Sequence, residues 1–223
     1  MVAEQQILDE RYRVTHRVTI VGAVVNLLLA VSKVFFGLIG HSHALIVDGI
    51  HSLSDLLTDA MVVFAAKKGN QQPDEDHPYG HARIEIAFAA ILGGILIAVG
   101  IGIVIDALDR LTSGEVVIPD GMTLWVAFFS IAANEGLFHY TNINAKRINS
   151  SILKANAWHH RSDAISSIVV LIGIAGSMMG VPYLDSAAAV IVSMMIVKIG
   201  WEISKESVEQ LVDKDWIPKK WIQ

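Results

Sequence analysis

Two stretches pair an imidazole with a carboxylate at the same spacing. One is His51-Ser52-Leu53-Ser54-Asp55, within LIVDGIHSLSDLLTDAMVVF, and the other is His159-His160-Arg161-Ser162-Asp163, within ANAWHHRSDAISSIVVLIGIAG. Residues four apart share a helix face, so each stretch presents one nitrogen and one oxygen donor side by side. Two such faces turned toward each other supply His51, Asp55, His159 and Asp163, a tetrahedral set suited to zinc. Titratable groups at membrane depth are costly, and they mark ion paths. The ordinary alternative, polar residues that only cap or cross-link helices, explains one such pair more easily than two at matching depth.

The surroundings are those of a membrane protein. Of 223 residues, 53% are hydrophobic and 17% charged, and the mean hydropathy is +0.50, too apolar for an ordinary soluble domain. No cysteine is present, which excludes a disulfide scaffold and thiolate metal sites. The net charge of −5 gives no reason to expect nucleic acid as a partner. The first apolar run, Val18 to Ile39, is too long for a signal-peptide core and reads as a retained helix.

The expected fold is all-α, with six transmembrane helices near 16–39, 43–67, 82–111, 119–144, 152–179 and 184–209. Gly40, Pro119, Gly180 and Pro182 punctuate the links. Gly93, Gly94, Gly100 and Gly102, with Ala187, Ala188, Ala189 and Ser193, are expected to permit close helix contact. Basic residues cluster at one side: Arg11, Arg13 and Arg17; Lys67, Lys68 and Arg83; Lys146, Arg147 and Lys154; Lys205 and Lys214. Both termini are therefore expected in the cytoplasm. His51 then lies about 12 Å into the second span, and His159 enters the fifth from the opposite side to a similar depth.

Three segments, in order, resemble the cation diffusion facilitator family of proton-coupled zinc and divalent-metal exporters: SHALIVDGIHSLSDLLTD, PDEDHPYGHARIE and ILKANAWHHRSDAISS. The resemblance runs through Asp213. It implies a six-helix transport domain over residues 1–213 that works as a homodimer in a cell inner or plasma membrane. The implied transport site is His51, Asp55, His159 and Asp163, with a divalent cation as substrate and no cofactor. A second, loop metal site is implied at Asp74, His77 and His81, whose spacing alone would equally suit a polar loop. An interlock between a basic residue and an aspartate is implied at Arg83 and Asp213. Family members usually continue into a ferredoxin-like cytoplasmic domain. This chain ends ten residues after Asp213, so 214–223 is expected to be a short tail.

Other titratable residues have plainer readings. Asp59 extends the His51–Asp55 stripe and is assigned to an inner vestibule. Asp48, one turn outward from His51, is expected to hydrogen-bond a ligand or cap a helix rather than bind metal. Glu135 and His139 are expected to bond a neighbouring helix; His41 and His43 are expected to be ordinary exposed histidines, and Trp201, Trp216 and Trp221 interfacial anchors. The substrate is expected to be Zn²⁺ exchanged for protons, with Fe²⁺, Mn²⁺, Co²⁺ or Cd²⁺ as alternatives. An intramembrane metallohydrolase is disfavoured because neither HExxH nor GxSxG occurs; a metal sensor that does not transport is the other rival.

Overall fold

Long apolar runs broken by Gly, Pro and short polar links can satisfy their backbone in lipid only as helices. In the computed structural model the chain forms α1 (Val2–Ile39), α2 (His43–Gly69), α3 (Ala82–Ser113), α4 (Gly121–Arg147), α5 (Ser151–Met178) and α6 (Leu184–Leu211). The structure describes the backbone of residues 2–69, 82–113 and 117–211, and the side-chain surroundings of 13–57, 86–87, 89–113 and 117–209. No strand occurs among the described residues. Five segments are long and apolar enough to cross a membrane: Arg13–Ile39, Ala89–Ser113, Gly121–Arg147, Ser151–Met178 and Leu184–Glu209. Large apolar side chains on them, among them Leu28, Phe35, Trp125, Ile143 and Ile172, are exposed, as lipid-facing residues are. The protein is therefore an integral, multi-pass membrane protein.

Three helices end the same way. His41, Asn149 and Gly180 have positive φ (54°, 49° and 101°). The next residue in each case donates its N–H five residues back: Ser42 to Gly37, Ser150 to Ala145, and Val181 to Gly176, at 2.9–3.0 Å. These are Schellman terminations, which reverse the chain while satisfying the last carbonyls. Helices α2, α4 and α5 start on side-chain caps. Ser42 Oγ accepts from Leu45 N–H (3.2 Å), Asp120 from Met122 N–H (3.5 Å) and Ser150 from Leu153 N–H (3.3 Å).

The cap of α2 is itself anchored from α6. Ser42 Oγ donates to Asp185 Oδ1 (2.7 Å), and Asp185 Oδ2 accepts from His43 N–H (2.8 Å) and Ala44 N–H (3.4 Å). Asp120 N–H also donates to the Gly40 carbonyl at 2.9 Å. The α1–α2 turn is thus bonded to the starts of both α4 and α6.

The chain divides into two compact units. The first comprises Met1–Leu53 and Ala107–Val192, the second Ser54–Asp106 and Ser193–Gln223. Within the first, Val18, Ala145, Ile148 and Leu153 form a buried cluster where α1 meets the α4–α5 turn. Glycines set the tightest approaches: a Cβ on Gly49 would lie 2.9 Å from Val34 N and 3.1 Å from Lys33 Cβ, so α2 fits against α1 only without one. Within the second unit, a Cβ on Gly93 would lie 2.7 Å from Gly200 O, and one on Gly100 would crowd Val197. Gly93 and Gly100 are the α3 glycines that meet α6. Gly94 and Gly102 would meet nothing within 4 Å, because residues 93 and 100 share a helix face that 94 and 102 do not.

Candidate metal-transport site

The first turns of α2 are buried almost all round, so its polar residues point into protein. His51 is 4% exposed and Asp163, on α5, is 6% exposed. A ring nitrogen of His51 and a carboxylate oxygen of Asp163 lie within 4.8 Å of each other. The expected i, i+4 pair on α5 is present: His159 Nε2 is 3.8 Å from Asp163 Oδ2, although the His159 side chain is 38% exposed. His159 thus borders Asp163 but is wetter than the other two. Asp55, also buried, follows His51 by one turn of α2 and belongs to the second compact unit.

An imidazole and a carboxylate from different helices, both buried and within reach of one small ion, are a donor pair of the kind that can hold a divalent cation. Nitrogen and oxygen donors together suit borderline metals such as zinc and also accommodate manganese and iron.

His160 has a different role from His159. Its ring is buried, 6.2 Å between centroids from that of His159. It sits over Gly22 of α1, where a Cβ would come 3.3 Å from Nε2. Neither ring nitrogen has a hydrogen-bond partner among the described residues. The next residue, Arg161, places its guanidinium over Phe138 (4.7 Å) and Trp158 (5.6 Å), a cation–π contact that joins α4 to α5.

Among the described residues, Asp48 neither caps a helix nor bonds a candidate ligand side chain. It forms a fully buried ion pair with Lys33 of α1, Nζ to Oδ2 at 2.8 Å. The Lys33 ammonium also donates to Ser167 Oγ (3.1 Å) and Ser52 Oγ (3.2 Å). Ser167 Oγ donates to Asp48 Oδ2 at 2.8 Å. Ser166 Oγ lies 3.1 Å from Asp48 Oδ1 and 2.9 Å from the Asp163 carbonyl oxygen, so its single hydrogen serves one or the other. Sequence reasoning passed over Lys33, yet the signal was present: it is the only Lys, Arg, Asp or Glu between Arg17 and Asp48, and a charge inside an apolar span requires a partner.

Glu135 and His139 bond each other rather than a neighbouring helix, at 3.4 Å on an exposed face of α4. Trp201 is exposed, as an anchor would be. Asp74, His77, His81, Asp213, Trp216 and Trp221 lie outside the described residues, as do the side chains of Asp59 and Arg83.

A multi-pass membrane protein in which a buried imidazole and a buried carboxylate from separate helices approach each other points to a class, the membrane proteins that handle metal cations. The sequence pattern of the cation efflux transmembrane domain matches residues 19–212. An uncharacterized transporter of Methanocaldococcus jannaschii is 38% identical over 204 residues, covering 92% of this chain and 72% of that protein. Manganese efflux system protein MneP of Bacillus subtilis is 35% identical over 218 residues, 95% of this chain and 73% of that protein. Metal tolerance protein C1 of Arabidopsis thaliana is 37% identical over 207 residues, covering 86% and 44%. The chain belongs to the cation efflux, or cation diffusion facilitator, family. It is a metal-cation efflux transporter and not an enzyme.

Proposed function

We propose that the chain exports Zn²⁺ in exchange for protons, through a site made of His51, Asp55, His159 and Asp163. The observation that carries this reading is the approach of His51 and Asp163, buried on separate helices, to within 4.8 Å. Two ionised aspartates balance a divalent ion when both histidines are neutral. With the ion gone, the same groups attract protons, and metal and protons compete for one set of donors. Falling pH therefore weakens metal binding. A site open to one side at a time converts this competition into exchange.

In this reading all six helices cross the membrane, with both termini in the cytoplasm, and residues 1–213 form the transport domain of a homodimer. Asp74, His77 and His81 collect ions on the cytoplasmic side, Asp59 lines the inner vestibule, and Arg83 and Asp213 fix the registry of α3 and α6. Mn²⁺ is the second reading, favoured by the likeness to a protein named for manganese efflux.

Purified protein in liposomes, with an imposed pH gradient and Zn²⁺ or Mn²⁺ offered separately, tests the proposal. Metal flux that accelerates with an opposing proton gradient is the expected result. Flux that ignores the gradient refutes proton exchange, and a stronger coupling for Mn²⁺ replaces zinc by manganese.

A further inference from the structure

The same two helices that carry His51 and Asp163 carry a second set of oxygen donors about one turn away. Asp48 precedes His51 by three residues on α2; Ser166 and Ser167 follow Asp163 by three and four on α5. Residues three or four apart share a helix face, so the second set is stacked beside the first. At its centre lies a cation, the Lys33 ammonium, delivered from α1. Its three hydrogens meet three oxygens, Asp48 Oδ2, Ser167 Oγ and Ser52 Oγ, at 2.8, 3.1 and 3.2 Å.

Gly49 makes this delivery possible. A Cβ there would lie 3.1 Å from Lys33 Cβ and 2.9 Å from Val34 N, so any larger residue would push α1, and its ammonium, outward.

We infer that Lys33 is a tethered cation that fills a would-be metal site. It occupies the oxygen cage of Asp48, Ser52, Ser166 and Ser167, keeps Asp48 from becoming an extra metal ligand, and so confines the mobile ion to one position. This rests on the proposed ligand set only for the location of that position. A buried ion pair is weak evidence for stability, because apolar residues of similar size often serve as well. Its place beside an ion path, with one partner reaching in from a third helix, is better explained by control of charge. An unfilled cage of carboxylate and hydroxyl oxygens would suit a hard divalent ion such as Mn²⁺. Lys33 is thus a specificity-determining and positioning residue rather than a ligand.

The test is equilibrium binding of Mn²⁺ and Zn²⁺ to the purified full chain in nanodiscs, with folding followed by gel filtration and circular dichroism. Lys33→Ala should bind one more Mn²⁺ per chain than wild type and shift the metal ranking toward Mn²⁺. The double variant Lys33→Ala/Asp48→Asn should lose the added ion. Lys33→Gln, which keeps a donor but drops the charge, is read in the same way if Lys33→Ala does not fold. A folded Lys33 variant that binds the wild-type number of ions with an unchanged ranking overturns the inference, because a purely structural clasp would change stability and not stoichiometry. Asp163→Ala separates the two readings. It should lose the transport-site ion while Lys33→Ala/Asp163→Ala keeps the added one. If Asp163→Ala alone binds the wild-type number, the ligand assignment fails and the Lys33 result still decides this inference.

Discussion

Asp185→Ala should destabilise the protein far more than a residue at the end of a helix ordinarily would. The carboxylate is 3% exposed and accepts two short hydrogen bonds, from Ser42 Oγ at 2.7 Å and His43 N–H at 2.8 Å, with Ala44 N–H more distant at 3.4 Å. Hydrogen bonds to charged groups contribute about 1.5–3 kcal/mol each, so losing the two short ones costs about 3–6 kcal/mol. Total stabilities are about 5–15 kcal/mol, and the loss is a large fraction of them. Asp185→Asn keeps an acceptor oxygen without the charge and should lose roughly half as much. Unfolding by SDS titration in mixed micelles measures both. A double-mutant cycle with Ser42→Ala should return a coupling of about 1.5 kcal/mol or more. If Asp185→Ala lies within about 1 kcal/mol of wild type, or the cycle is additive, the α6 anchor on α2 does not contribute as its geometry indicates.

The ion site makes further predictions. Asp55→Ala and Asp163→Ala should each abolish zinc flux in liposomes while leaving the helical content intact; normal flux in either removes that residue from the ligand set. His51→Asp replaces a nitrogen donor by oxygen and adds negative charge, so competition uptake should move toward Mn²⁺; an unchanged ranking argues that His51 is not a ligand. Removing His77 and His81 together should lower apparent affinity or rate in a flux assay without eliminating transport, and complete loss with normal folding would make the loop site essential. Arg83→Asp and Asp213→Arg should each weaken dimerisation or transport, and the double swap should restore much of it; additive effects mean that the two residues do not interact.

Apolar length and breakers carried the helices well. The expected spans at 119–144 and 152–179 compare with Gly121–Arg147 and Ser151–Met178, because apolar runs of membrane length leave the backbone few other choices. The Schellman endings were only partly legible. Gly180 and Asn149 tolerate positive φ readily, whereas His41 adopts it for reasons of context. Pairing across helices was the least legible. Lys33 announced itself as a charge in an apolar run, but its choice of Asp48 depends on the close packing that Gly49 permits. Spacing could not say which of His159 and His160 is the more deeply buried; the seat at Gly22 decides that. Glu135 and His139 were read as reaching across helices, and they satisfy each other along one helix instead, as i, i+4 partners can.

The anchored turn before α2 has a mechanical consequence. Gly40, Ser42, His43 and Ala44 are bonded to Asp120 and Asp185, so this end of the helix is pinned and the rod beyond it acts as a lever. His51 stands eight residues from His43, an arm of about 12 Å. On that arm each degree of tilt moves the imidazole by about 0.2 Å, which is already the tolerance of a metal–ligand distance. A ten-degree swing carries it about 2 Å, a full metal–nitrogen bond length. In the proposed site, a tilt of α2 about this pin would loosen an ion held by His51, and it would have to carry Lys33 with it, because Asp48 and Ser52 on either side of His51 are bonded to that ammonium.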